Sequence, residues 1–278
     1  MSPTVFAVVL FAAALHAAWN AIVKSGADKL LSTTLVAGAS ALIAAAALPF
    51  LPSPDKASWG FIAVSSLVQV AYYFLVANAY RVADMGQAYP LMRGTAPLIV
   101  AVASAGALGE PLKPFAWLGV GGICAGVLVM AVGRHGREGR LGVALALANA
   151  VVIASYTLID GAGARRSGSP AAYTLWLFLL TGAAVVAWVA ATRRRALLDY
   201  AARHWRGGLV GGAGTTASYG LALWAMTLAP VAIVAALRET SILFGAAIAG
   251  LLLRERLGWR RITAAGVIVV GAALLRLA

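Results

Sequence analysis

The chain has 278 residues, of which 62% are hydrophobic and 11% charged, with a mean hydropathy of +0.89 and a formal net charge of +13. Apolar runs of about 20 residues recur with short polar breaks, which excludes a soluble globular domain and leaves no length for one beside the runs. The single cysteine, Cys124, excludes an intrachain disulfide and a cysteine-based metal site, and reads as a small apolar helix residue.

Ten runs follow in order, at roughly 4–23, 31–51, 58–80, 87–108, 114–132, 141–160, 171–191, 207–228, 231–252 and 262–277. They predict an all-α integral membrane protein, with ten transmembrane helices in one domain spanning 1–278. No basic residue precedes the first run, which carries His16, Trp19 and Asn20 near its end, so it is expected to be a membrane helix and not a cleaved signal. His16 and Asn20 are four apart on one face, a polar stripe that serves either proton uptake or an interhelical hydrogen bond. In the third run Gln69, Tyr72, Tyr73, Val76 and Tyr80 follow helical spacing, as a substrate wall or an interfacial belt. The sixth run places Asn149, Tyr156 and Asp160 on a loose common face, with Asp160 expected at the solvated end. Tyr89, Trp224 and Thr240 are further candidates to line a cavity.

The fourth and ninth runs each carry an arginine, Arg93 and Arg238. A guanidinium near the centre of a membrane helix costs about 2.5–3.5 kcal/mol on insertion scales, so it is expected to face a bundle interior or a wet cavity. Pro97, four residues after Arg93, has no N–H for the Arg93 carbonyl, so a kinked fourth helix is expected there, flanked by Pro90 and Gly94. Glu239 neighbours Arg238 but points about 100° away on a helix, which makes Arg93 of the other half its better partner. As the one carboxylate in the middle of a predicted span, Glu239 is either a protonatable coupling group or half of a structural ion pair.

These arginines are 145 residues apart, and the same shift places Thr95 on Thr240, Leu98 on Leu243, Glu110 on Glu255, Gly121 on Gly266 and Gly126 on Gly271. Earlier helices follow a shift of 137, placing Trp19 on Tyr156 and Gly26 on Gly163. Two repeats result, about 1–137 and 138–278. Five helices per repeat is an odd number, so the second copy must enter the membrane with opposite sense, giving inverted repeats with the site at the midplane. The 30 glycines supply small-xxx-small faces for close helix packing. Gly211-Gly212-Ala213-Gly214 is read in that way, because no strand precedes it and no Lys-Ser or Lys-Thr follows.

The positive charge lies in connectors, where membrane orientation explains it without nucleic acid. One set of alternating loops holds fifteen Lys and Arg and the other set five, which predicts both termini outside a bacterial-type inner membrane.

The segments Leu108-Gly109-Glu110-Pro111-Leu112 and Leu253-Arg254-Glu255-Arg256-Leu257, each between an apolar run and a Gly-rich one, resemble the EamA-type members of the drug/metabolite transporter superfamily. His16-Ala17-Ala18-Trp19-Asn20 and Ala236-Leu237-Arg238-Glu239-Thr240-Ser241 are similar to a subgroup sometimes associated with phosphonate utilisation. The resemblance implies a carrier of small metabolites, with a central cavity and alternating access. It also implies cytoplasmic termini, against the charge count.

On the residues, the expected function is secondary-active or facilitative transport of an amino-acid-like molecule, a phosphonate or another organic anion, without cofactor and with a proton as candidate coupling ion. The expected substrate-binding set is Arg93, Arg238, Glu239, His16, Asn20, Trp19, Tyr72, Tyr73, Tyr89, Asn149, Tyr156, Trp224 and Thr240. Two cations against one carboxylate favour a negative group, and a guanidinium fork suits its oxygens. The expected partners are this substrate and the lipid bilayer, in a monomer or dimer. A structural or regulatory membrane protein without transport is the alternative. An intramembrane enzyme has less to build on, as there is no HExxH, no His pair on one helix and no two acids in one span.

Overall fold

The structure is a computed structural model that describes the backbone of residues 1–82, 85–131, 140–252 and 258–278, and the side chains of these except 24–25, 77–82, 85–87, 130–131 and 249–252. The second family-like motif at 253–257, including Glu255, and the Tyr80 side chain therefore lie outside the described residues. Within them the fold is all helical: α1 (Pro3–Ser25), α2 (Lys29–Ala47), α3 (Trp59–Val82), α4 (Met85–Ala107), α5 (Pro114–Ala131), α6 (Arg140–Arg166), α7 (Pro170–Met226), α8 (Val231–Arg238), α9 (Ser241–Leu252) and α10 (Trp259–Leu277). Helix starts follow local chemistry. The side chains of Ser2, Asp28 and Ser169 accept hydrogen bonds from Val5 N, Leu31 N and Ala172 N, with proline opening α1 and α7.

By length and composition, six helical segments among the described residues can cross a membrane: Pro3–Val23, Lys29–Phe50, Lys56–Val76, Arg140–Arg166, Pro170–Met226 and Val231–Ile248. Helix α7, with 57 residues, would measure about 85 Å if straight, nearly three times the hydrocarbon thickness of a bilayer. It doubles back instead. Arg193, at φ −139° and ψ 38°, is non-helical. Gly182 before it packs on Ala37 and Ala41 of α2, and Gly212 after it packs on Ala39 and Ser40. Two arms thus run in opposite directions beside α2. The seventh and eighth runs are joined because Ala196, Leu197, Leu198, Ala201 and Ala202 are good helix formers and keep the basic connector helical.

The ends of the bundle can be told apart by their contacts. At one end Arg276 Nη1 donates to the Met1 carbonyl at 2.9 Å, and Asp55 N donates to Ser167 O at 2.9 Å. The opposite, more basic end holds the Arg193–Asp28 ion pair and the Ser32–Tyr200 hydroxyl pair. At the terminal end Gly109 (φ +64°) turns the chain out of α4 in the left-handed region that favours glycine. That turn aims Glu110 at Val231 N, the first residue of α8, at 3.0 Å. Glu110 also pairs with Arg165, whose guanidinium donates to the carbonyls of Met226 and Ala229. Glu110 is a loop-structuring group, as its place at a helix end implies.

This clasp fixes the relation between the repeats. Helix α4 ends where α8 begins, so the matched segments α4 and α8–α9 run in opposite directions. The α5–α10 contact repeats the relation residue by residue. Gly126 lies against Ala264 and Ile268, while Gly271 lies against Gly119 and Ile123. Adding 145 to 119, 123 and 126 gives 264, 268 and 271, so each contact is the image of the other. A Cβ on Gly126 would fall 2.9 Å from the Ala264 carbonyl oxygen, which is why glycine stands there.

Among the described residues the one break between matched helices is on the other half. Helix α4 stays helical through Pro90 and Pro97. The matched ninth run breaks instead, into α8 and α9 at Glu239–Thr240. Here Glu239 N and Thr240 N bond to carbonyls three residues back, and Thr240 Oγ1 donates to Leu237 O at 2.6 Å. Tightened i−3 bonds and a side chain competing for a backbone acceptor end the helix.

Candidate functional site

Arg93 from α4 meets Glu239 at the α8–α9 break. Its Nε donates to Glu239 Oε2 at 2.9 Å, with Arg93 only 7% and Glu239 3% exposed. The partner is the one in the other repeat, as the roughly 100° between neighbouring helix positions Arg238 and Glu239 leads one to expect. Arg93 Nη2 is buried and has no hydrogen-bond partner among the described residues.

Arg238 is 8% exposed, and its Cζ lies 4.9 Å from the centroid of the Tyr219 ring. Among the described residues no carboxylate comes within ion-pair distance of it. The repeat explains this. Shifting Glu239 back by 145 gives Gly94, so the carboxylate that would mirror the Arg93 pair does not exist. Nor is there room for one: a Cβ on Gly94 would fall 2.8 Å from Leu128 Cγ and 3.3 Å from the Cys124 carbonyl oxygen. Two arginines related by the repeat are thus unequal, one neutralised and one held on an aromatic face.

Asp160 corrects the sequence reading. It was expected at a solvated helix end, but α6 continues to Arg166 and Asp160 is fully buried at 0% exposure. Tyr173 Oη donates to Oδ1 at 3.0 Å, and Tyr219 Oη and Gln69 Nε2 donate to Oδ2. Gln69 also donates to Ser65 Oγ, one turn earlier on α3. Tyr219 therefore bonds a carboxylate with its hydroxyl and carries a guanidinium on its ring. This second buried carboxylate makes two cations and two carboxylates, and the count of charges alone no longer selects an anion.

An aromatic row surrounds these groups. Tyr72 and Tyr73 of α3 meet edge to face at 5.6 Å, Tyr72 meets Tyr156 of α6 at 5.9 Å, and Tyr156 meets Tyr219 at 6.4 Å. Phe178 closes the row against Tyr219 at 6.0 Å. Tyr89, Tyr72 and Tyr156 all interact electrostatically with Arg93, and His16 does so with both arginines. Arg93, Arg238, Glu239, His16, Tyr72, Tyr73, Tyr89 and Tyr156 thus form one cluster.

Other expected residues stand apart or turn inward on their own helix. Asn20 Nδ2 donates to the His16 carbonyl at 2.8 Å, satisfying its own helix. Trp19 stacks edge-on with His16 at 5.2 Å, packs on Gly214 of α7 and leaves Nε1 buried without a partner among the described residues. Asn149 is buried between α6 and α4, with Nδ2 on Met92 Sδ and Oδ1 likewise unpartnered among them. Trp224 packs against the hydrophobic core, and Thr240 is spent on the helix break.

Sequence reasoning misplaced Asp160 and missed Tyr173, Phe178 and Tyr219. A signal was present: Asp160 is followed by Gly161, Ala162, Gly163 and Ala164, small residues that draw helices close. Gly161 lies against Val231, and Gly163 against Tyr173. A carboxylate beside such a face has to find partners on the helices it admits.

The sequence profile of the EamA-like transporter family matches residues 4–132 and again 140–277. A protein known from its crystal structure is similar over 99% of this chain and 96% of its own, with a TM-score of 0.78 and 20% identity, a likeness of fold alone. No curated protein matches the chain. Two successive matches that together cover nearly every residue, on a bundle of apolar helices, make the chain a multi-pass membrane protein of the EamA-like transporter family.

Proposed function

We propose that the protein carries a small metabolite with a carboxylate, phosphonate or similar anionic group, by alternating access between the two inverted repeats. Counting the arms of α7 separately and α8–α9 as one gives ten crossings, and the Arg276–Met1 contact supports termini on one side. By the loop charges that side is outside. A carboxy-terminal fusion to a reporter that fluoresces only in the cytoplasm tests this; dark cells are expected, and bright cells reverse the orientation.

The observation that carries the reading is Arg238. It is a nearly buried guanidinium on the Tyr219 ring, with no carboxylate at ion-pair distance among the described residues, and Arg93 has a buried Nη2 with no hydrogen-bond partner among them. A planar fork with unspent donors, desolvated and backed by an aromatic face, suits the oxygens of an anion. Aromatic rings at Tyr72, Tyr156 and Tyr219 supply the apolar wall for the remainder of such a molecule. The Glu110–Arg165 clasp ties the turn after α4 to the start of α8 at the terminal end of the bundle.

The Arg93–Glu239 pair favours a second reading, a structural protein whose buried charges merely lock the bundle. Arg238 distinguishes the two, since a lock gains least from a cation that forms no ion pair among the described residues. A thermal-shift screen of purified protein against amino acids, phosphonates and other organic anions is the test, because a ligand that binds the native state raises its apparent stability. The carrier reading expects a stabilising anion whose effect is lost in Arg238→Ala; stabilisation that persists in that variant removes Arg238 from the site.

A further inference from the structure

A cavity of about 640 Å³ opens at the basic end, between the end of α1, the start of α2 and α7 around Tyr200–Gly208. It shares no residue with the Arg93–Arg238 cluster. Its volume is in the range of small-molecule sites, about 300–1,000 Å³. The lining divides into two chemistries. Ile22, Val23, Leu35 and Val36 make an apolar wall on α1 and α2, while Arg203, His204 and Arg206 of α7 stand at the mouth.

Neither arginine is spent. Arg203 uses Nε on the Asp199 carbonyl at 3.1 Å, and Arg206 lies 5.4 Å from the ring of Trp205; neither forms an ion pair among the described residues. His204 is fixed by stacking on Tyr200 at 4.1 Å, and Tyr200 in turn bonds Ser32 Oγ at 2.6 Å. The mouth is therefore built on an anchored floor. Gly207 keeps the space open, since a Cβ there would find its nearest neighbour, Ile22, 3.8 Å away. Among the described residues nothing acidic lines the cavity. Trp205, 54% exposed, and Leu209 and Val210, also exposed, continue the apolar surface outward from the same helix. An aromatic ring and two arginines at the junction of a charged connector with an apolar arm mark the depth of the lipid headgroups.

We infer that this cavity holds one anionic phospholipid, its phosphodiester between Arg203 and Arg206 and the first part of an acyl chain along Ile22, Val23, Leu35 and Val36. A free anion would use only the mouth, and a zwitterionic lipid would bring a cation against two guanidinium groups. The bound lipid would brace the turn of α7 against α1 and α2. This inference stands apart from the transport reading and is tested without a transported substrate.

Thermal unfolding of the purified protein is followed with phosphatidylglycerol, phosphatidylcholine or inorganic phosphate added. Phosphatidylglycerol is expected to raise the midpoint, and the other two to leave it unchanged. Arg203→Gln with Arg206→Gln should weaken the phosphatidylglycerol response roughly 30-fold in apparent affinity, at about fivefold per surface arginine. Gly207→Leu, which fills the apolar space and leaves every charge in place, should weaken it as well. Arg260→Gln, an exposed basic residue outside the cavity, should respond like the unaltered protein. Equal stabilisation by phosphatidylcholine, or a full response to phosphate alone, overturns the inference. So does a phosphatidylglycerol response that survives both cavity variants.

Discussion

Removing Glu239 is the perturbation whose size the structure defines best. Its carboxylate and the Arg93 guanidinium are 5% and 8% exposed as side chains and 2.9 Å apart, so solvent screens the pair very little. Breaking a buried pair by deleting one partner leaves an uncompensated charge and costs about 3–5 kcal/mol. At about 2–4 °C per kcal/mol for a chain of this general size, Glu239→Leu should lower the thermal midpoint in detergent by roughly 6–20 °C. Arg93→Met should cost a similar amount. The double variant should recover most of the loss, because two apolar side chains of similar volume leave no charge to compensate. Calorimetry or intrinsic fluorescence of the four proteins in one detergent gives the coupling energy directly. Single variants within about 1 kcal/mol of the parent, or losses that simply add in the double, would refute a direct buried pair across the repeats.

Two further outcomes follow from the same geometry. Gly126→Ala and Gly271→Ala should each destabilise by about 1–3 kcal/mol, although alanine is the better helix former, because the new Cβ atoms meet carbonyl oxygens at 2.9 Å across the α5–α10 contact; denaturant unfolding checks this, and a gain in stability would place the helices further apart. Tyr219→Phe removes the hydroxyl bond to Asp160 and keeps the ring under Arg238, so it should lower stability by about 1–3 kcal/mol with ligand affinity nearly intact. Tyr219→Leu should weaken binding as well, and identical affinities for the two variants would deny the ring a part in placing Arg238.

The fold was legible where the sequence pays a visible cost or repeats itself. Arg93 and Arg238 announce a buried polar centre by their expense, and the shift of 145 predicts an inversion that the Gly126–Ile268 and Gly271–Ile123 contacts display. Two things were not legible. Pro97 is an obvious local signal, yet α4 runs on as helix through it. The break occurs at Glu239–Thr240, where the competing donor is the Thr240 hydroxyl on the Leu237 carbonyl, a bond that no composition reveals. Asp160 was misplaced for a related reason. Hydropathy ends the sixth run at the first charge, while the helix itself ends only after Arg166, once Tyr173, Tyr219 and Gln69 have satisfied the carboxylate. Partners that arrive from distant helices decide whether a charge is solvated or buried, and a window moved along one strand of sequence does not contain them.

The central claim is that an anion is carried on Arg238, the arginine that the repeat leaves without its carboxylate. Uptake of labelled amino acids and phosphonates into proteoliposomes, compared between the parent protein, Arg238→Lys and Arg238→Ala, tests it most directly. Hydrogen bonds to a charged group contribute about 1.5–3 kcal/mol, so the alanine variant should need roughly 10- to 150-fold more substrate for equal flux, with lysine between. Flux of the same anion by Arg238→Ala at the parent's concentration dependence would contradict the account.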